Sequence, residues 1–281
     1  MKEKRGIVLE GGTFRPIFSA GAMDALLDNG IRFPYVIGVS AGATNALSYV
    51  SGQKGRNLEV LLGLRRDKRY IGLRNFFREK CYFGLDFSFN VVPRELYPLD
   101  YNAIEQYEGE FKVGITDAVT GEADYRDGTK IEGMTELLEA TCAIPLMFPT
   151  ITIDGRAYYD GGVADPIPIR KAIADGSEKN LIILTREKGY VKELNSGVKI
   201  AARSIRKKYP KFAELLLRRH EEYNDTVRYV EELEREGKAV VLRPEYPLRS
   251  RERDLRQIKK NYEHGYDMMT SRLDEVKKLF I

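Results

Sequence analysis

Three short stretches of this 281-residue chain carry residue types that can do chemistry together. The first is Gly38-Val39-Ser40-Ala41-Gly42, a G-x-S-x-G pattern that sets a serine hydroxyl among small residues. The second, Asp160-Gly161-Gly162, offers a carboxylate on a flexible turn that can face that serine. The third, Gly11-Gly12-Thr13-Phe14-Arg15, has the glycines of a turn whose outward-pointing amide N–H groups suit an anion. Each also has a plainer reading as a glycine-rich connection, and D-G-G is a common loop signature.

The elements around Ser40 give the first stretch its meaning. Phe33 to Val39 is apolar and β-branched and reads as a buried strand, while the small residues after Ser40 read as the start of a tightly packed helix. That context is a nucleophile elbow, in which the backbone is strained and neighbouring segments crowd in, leaving no room for a Cβ at Gly38 or Gly42. The serine is thereby lifted out of the fold at a helix N-terminus. Residues 5–10 form an earlier strand that breaks at Gly11-Gly12, and Pro16 suits the first position of a helix running to Asn29-Gly30. With Ile31 to Val39 as the next strand, this is a β-α-β-α unit, so a parallel sheet is expected. The glycine turn and the elbow both follow strands, which places them at the same C-terminal sheet edge.

Further on, Phe111 to Thr116 reads as a strand, and Glu136 to Ala143 as a helix ended before Pro145. Ile151 to Asp160 reads as a hairpin turning at Asp154-Gly155, Asp165-Pro166-Ile167-Pro168-Ile169 starts a helix, and Leu181 to Leu184 reads as a core strand. From Lys188 the character changes to amphipathic helices: one through Val198, Ala201, Ala202 and Ile205, a second from Pro210, and a third pattern ending at Gly237. Ala239 to Leu242 reads as one more strand, and Arg253 to Leu279 as a final helix. The expected organisation is therefore α/β, a mostly parallel sheet flanked by helices over residues 1–187, with a basic, mainly helical extension over residues 188–281 packed on it.

Hydrophobic residues at 43% and charged residues at 31% say globular and soluble. No secretory signal or membrane-length apolar run is visible, and Cys81 and Cys142 lack metal-ligand spacing, so free thiols and a cytoplasmic setting are expected. Residues 186–281 carry 24 Lys and Arg against 17 Asp and Glu, a net +7 that leaves −3 on residues 1–185. These charges interleave at helical spacing and read as a solvated surface or a face for an anionic partner; no motif supports nucleic acid. Between Gly52 and Phe111 the chain is rich in cations and rings: Arg65, Arg66, Arg69, Tyr70, Arg74, Phe76, Phe77, Arg78, Tyr82, Phe83, Phe87 and Phe89. That mixture suits either a lid that docks peripherally on lipid head groups or an insertion with its own aromatic core.

The glycine turn, the Ser40 elbow and Asp160-Gly161-Gly162, in that order and with Pro145 and Asp165-Pro166-Ile167-Pro168, resemble the patatin-like phospholipase family over roughly residues 5–185. That resemblance implies an α/β sheet and a Ser-Asp dyad, with Ser40 as nucleophile and Asp160 as its general base. It also implies an oxyanion loop, which here comprises Gly11, Gly12, Thr13 and Arg15. Thr13 stands where the family pattern has its third glycine, and Pro16 where it has its last. The substrate class implied is a lipid carboxylic ester, phospholipid or lysophospholipid, and the chemistry requires no metal or organic cofactor. Two alternatives stay open: a lipid-binding or regulatory protein with a degraded oxyanion loop, and a Ser-His-Asp esterase using His264, since only His220 and His264 are present.

Overall fold

Along β1 (Lys4–Leu9) the side chains alternate between two apolar environments, with Ile7 and Leu9 in one buried cluster and Val8 in another. β2 (Tyr35–Val39) and β7 (Ser177–Ile183) divide in the same way, so the centre of the sheet is covered on both faces, as a parallel sheet requires. The computed structural model describes residues 4–79 and 81–281. Met1 to Glu3, Lys80 and the side chains of Leu73 and Phe76 lie outside the described residues.

The chain runs β1, α1 (Ile17–Asp28), β2, α2 (Ala41–Val50), α3 (Arg56–Leu64) and α4 (Leu73–Glu79), then a wide-turned helix over Phe87–Leu96 and α5 (Tyr101–Glu105). It continues through β3 (Glu110–Asp117), β4 (Ala123–Asp127), α6 (Met134–Cys142), β5 (Ile151–Ile153), β6 (Arg156–Asp160), α7 (Ile169–Ala174) and β7. The C-terminal part supplies α8 (Ser196–Ile205), α9 (Pro210–Arg235), β8 (Ala239–Leu242), α10 (Leu255–Ser271) and α11 (Leu273–Lys278). The strands lie in the order β5-β6-β3-β2-β1-β7-β8, with β4 also on β3. The pairs among β3, β2, β1, β7 and β8 are parallel, and β4, β5 and β6 join antiparallel.

Two C-terminal segments differ from the sequence expectation. The second and third C-terminal helical patterns are one 26-residue helix, α9. No glycine or proline interrupts Lys211 to Arg235, and Asn224 turns its amide to the Lys192 backbone, accepting from its N–H at 2.8 Å and donating to its carbonyl at 3.0 Å. The final helix is instead two, broken at Arg272, whose guanidinium bonds the Val241 carbonyl and Glu275.

The C-terminal part is woven into the rest. β8 extends the sheet alongside β7, and α10 lies against α1. Phe212 and Leu216 of α9 belong to the first buried cluster, and Tyr223, Val230 and Leu233 to the second, so this helix runs from one face of the sheet to the other. No helix of the described residues is long and apolar enough to cross a membrane.

Candidate active site

Strand register brings serine and aspartate together. On β3, Gly114 is the partner of Val39, the last residue of β2, and the next residue, Ile115, is the partner of Asp160, the last residue of β6. Ser40, one step past Val39, and Asp160 therefore meet beside consecutive positions of one strand. Ser40 Oγ donates to Asp160 Oδ2 at 2.8 Å, and both residues are only 6% exposed.

The elbow has the strain its pattern implies. Ser40 holds φ 53°, a conformation that costs a non-glycine residue about 1 to 3 kcal/mol and persists only when its surroundings hold it. Those surroundings are tight. A Cβ on Gly42 would lie 2.7 Å from the Glu10 carbonyl oxygen, and one on Gly38 would lie 3.0 Å from the Ala43 nitrogen. The Ser40 N–H donates to Thr141 Oγ1 at 2.8 Å, and that hydroxyl donates in turn to the Gly114 carbonyl at 2.6 Å.

Asp160 is fixed from its other oxygen by the Gly162 N–H, 2.8 Å from Oδ1. Burial raises its carboxyl to about 6, against the hydrogen bond from Ser40, the charge of Arg219, the Gly162 amide and the charge of Lys192, all of which lower it. A carboxylate with that value is a far better proton acceptor near neutral pH than an ordinary aspartate.

The glycine turn borders the same site. A Cβ on Gly11 would lie 3.0 Å from the Ser40 Cβ, so the loop approaches the serine as closely as its backbone allows. Gly12 has φ 148° and Thr13 φ 57°, so the threonine adopts a conformation that glycine favours. Among the described residues, the amide N–H groups of Gly12 and Thr13 hydrogen-bond to no acceptor. Arg15 does not line the cavity in front of Ser40. Its Nε donates to Thr185 Oγ1 at 3.2 Å, and Thr185 Oγ1 donates to the Gly11 carbonyl at 3.1 Å, so Arg15 supports the loop. Buried Glu10 completes that support, accepting from the Thr185 N–H at 2.6 Å and the Tyr223 hydroxyl at 3.1 Å.

In front of Ser40 and Thr13 opens a cavity of about 190 Å³ with a mostly apolar lining that includes Ile17, Leu61, Phe83, Val92 and Phe148. Tyr70, Phe83 and Phe89 face this cavity, whereas Phe77 is 80% exposed.

One family model, for patatin-like phospholipase, matches residues 7–173, which include the glycine turn, the Ser40 elbow and Asp160. The chain belongs to the patatin-like phospholipase family. A second model, for a domain of unknown function, matches residues 209–281. This patatin-like chain is 26% identical over 185 residues to the uncharacterized protein YjjU of Escherichia coli strain K12. That match covers 64% of this chain and 51% of the other, so the chain spans about half the length of this curated relative. The crystal structure of VipD from Legionella pneumophila shares the patatin-like fold at a TM-score of 0.50 and 14% identity, over 98% of this chain and 67% of that one.

His264 has a different place. On α10 its Nε2 accepts from the Glu245 N–H at 3.1 Å, and its ring lies against Tyr246 and Phe18, while the Ser40 hydroxyl is directed to Asp160. The patatin-like match omits two cations whose charge favours the ionised Asp160, Arg219, which bonds the neighbouring Gly162 carbonyl, and Lys192. Their only sequence signal was the basic excess of residues 186–281.

Proposed function

We propose that this protein is a serine acyl hydrolase that cleaves lipid carboxylic esters, phospholipid or lysophospholipid, through a Ser40-Asp160 dyad. The observation that carries this reading is the hydrogen bond from a strained, buried Ser40 hydroxyl to a carboxylate raised to about 6. In this reading Ser40 Oγ attacks the ester carbonyl while Asp160 takes its proton, and the carbonyl oxygen gains negative charge beside the Gly12 and Thr13 amides. The alcohol leaves with that proton, and Asp160 then activates a water to hydrolyse the acyl-Ser40. The apolar cavity holds the acyl chain. The lipid-binding alternative explains neither the strain at Ser40 nor the pairing of its hydroxyl.

The test is release of fatty acid from mixed phospholipid vesicles as a function of pH. Only ionised Asp160 can act as base, so kcat/KM is expected to rise as pH increases through about 6 and to level off above it. Activity independent of pH between about 4 and 8, or no release at any pH, contradicts the proposal.

Access to lipid is proposed to be peripheral, through the exposed cations Arg66, Lys68, Arg74 and Arg78. Arg65 and Arg69 are set aside because each has an internal partner. Arg65 donates to the Glu252 carbonyl at 2.6 Å and covers the Phe14 ring, and Arg69 pairs with Asp67 at 2.8 Å. Each cation near an anionic surface is worth about 1 kcal/mol, so Arg66→Glu/Arg74→Glu/Arg78→Glu is expected to abolish co-sedimentation with anionic vesicles at low salt. Equal sedimentation of variant and wild type would move the docking face elsewhere.

A further inference from the structure

The patatin-like match ends at residue 173, yet the support of Asp160 does not. α9, which lies in the region matched as a domain of unknown function, packs against the short turn Gly161–Val163 that follows Asp160. From this helix Arg219 Nε donates to the Gly162 carbonyl at 2.7 Å. Gly162 in turn gives its N–H to Asp160 Oδ1 at 2.8 Å, and Asp160 Oδ2 accepts from Ser40 Oγ at 2.8 Å. An unbroken series of three hydrogen bonds therefore runs from α9 to the serine.

We propose that Arg219 is a positioning residue for the dyad, holding Gly162 so that its N–H keeps the Asp160 carboxylate turned to Ser40. The region of unknown function thereby contributes to catalysis in this chain. This inference rests on the Ser-Asp reading.

The local sequence explains why such a support is needed. Two consecutive glycines leave the first two positions of the turn without side chains to hold them. Gly161 is fixed by contact, because a Cβ there would overlap the Gly114 carbonyl oxygen, whereas a Cβ on Gly162 would meet nothing closer than 3.1 Å. Gly162 is thus the less closely packed of the pair, and its carbonyl is the one that accepts from Arg219. A guanidinium suits the task, since its Nε–H makes a charge-assisted bond to the carbonyl and its charge favours the ionised carboxylate.

The titratable and hydrogen-bonding groups that act on Asp160 come from four elements: Ser40 at the elbow, Cys142 on α6, Lys192 in the loop after β7, and Arg219 on α9. The half-buried Cys142 thiol is pushed far above its ordinary value and stays neutral. Lys192 is pushed down to about 7 by burial and then by Arg219, so it is only partly charged near neutral pH. Glu10 and Tyr223 lie close to Arg219 rather than to Asp160 itself. Arg219 is therefore the one permanent cation among the described groups that act on the carboxylate.

The test compares kcat, KM and the pH profile of fatty acid release for wild type, Arg219→Met and Arg219→Gln, with melting temperatures as a control. Arg219→Met is expected to lower kcat about 10- to 100-fold with KM within about twofold, because the residue touches no lipid and acts on geometry. The acid limb is expected to move to higher pH by about half a unit or more, because the carboxylate has lost a favourable charge. Arg219→Gln keeps a donor for the Gly162 carbonyl and loses only the charge. It is expected to show the same shift of the limb with kcat recovered toward wild type, and it decides the matter if Arg219→Met fails to fold. Folded variants with the wild-type rate and limb overturn the inference alone. An equal loss of kcat in both variants with the limb unmoved also overturns it, since a merely structural arginine behaves that way. A wild type inert at every pH overturns the Ser-Asp reading, and this inference with it.

Discussion

Ser40→Ala and Asp160→Asn are each expected to lower lipid ester hydrolysis by about a thousandfold or more, and the double variant to be little worse than either. Residues that act as one unit are non-additive: without the base the hydroxyl is inert, and without the hydroxyl the base has nothing to deprotonate. His264→Ala is expected to leave kcat nearly unchanged, because its imidazole serves the Glu245 amide and a stack with Tyr246. A loss with His264→Ala as large as with Ser40→Ala, in a protein that still melts normally, would favour a triad.

The aspartate variant has a second expected effect, of opposite sign. The carboxyl titrates near 3.9 in an unfolded chain but at about 6 when folded, so the folded state favours the protonated form. Stability is therefore lost as pH rises from the lower value through the upper, and above about 6 the buried carboxylate costs on the order of 2 to 3 kcal/mol. The neutral amide of Asp160→Asn would carry no such cost. The melting temperature of Asp160→Asn is accordingly expected to exceed that of wild type by several degrees at about pH 8 and to match it at about pH 4. A variant less stable than wild type at both would mean that the carboxylate is not under this strain.

The largest effect on stability is expected at the crossing of α1 and α10, where backbones meet without side chains between them. A Cβ on Gly21 would overlap the Tyr262 carbonyl oxygen, and one on Gly265 would overlap that of Phe18. In both cases the obstacle is backbone, so no rotamer change relieves it. Gly265→Val must push the helices apart, at about 3 kcal/mol or more, and should lower the melting temperature by roughly 10 °C. Gly265→Ala gains up to about 1 kcal/mol of helix propensity yet should still be destabilising, because the clash outweighs it. Because α1 starts just after the glycine turn, activity should be lost along with this crossing. Melting followed by circular dichroism reads the effect, and an unchanged midpoint for Gly265→Val would mean that the helices do not cross there.

These expectations separate what local sequence carries from what it does not. The β1 turn, the elbow and the D-G-G turn were legible because each is written in consecutive residues: an apolar run, then glycines forced by crowding or turning. β4 was missed because Ala123-Asp124-Tyr125-Arg126-Asp127 is polar and only partly buried, with no alternation to reveal it, and its place is set by pairing with β3. Arg15 belonged to a recognisable loop, but its direction depends on Thr185, a partner 170 residues away. Arg219 was invisible for the same reason. Within a charged helix it looks like its neighbours, and only the fold shows that it meets the Gly162 carbonyl. Gly265 also read as an incidental residue of a polar helix, since sequence cannot show that another backbone lies against it.

The central claim is that Ser40 is a nucleophile activated by Asp160, and the most direct measurement is covalent capture by a fluorophosphonate probe with the modified peptide identified by mass spectrometry. The account predicts one label per chain, on Ser40, absent in Ser40→Ala and greatly slowed in Asp160→Asn although that protein is folded. A folded wild-type protein that stays unlabelled, or is labelled equally fast in Asp160→Asn, would contradict it.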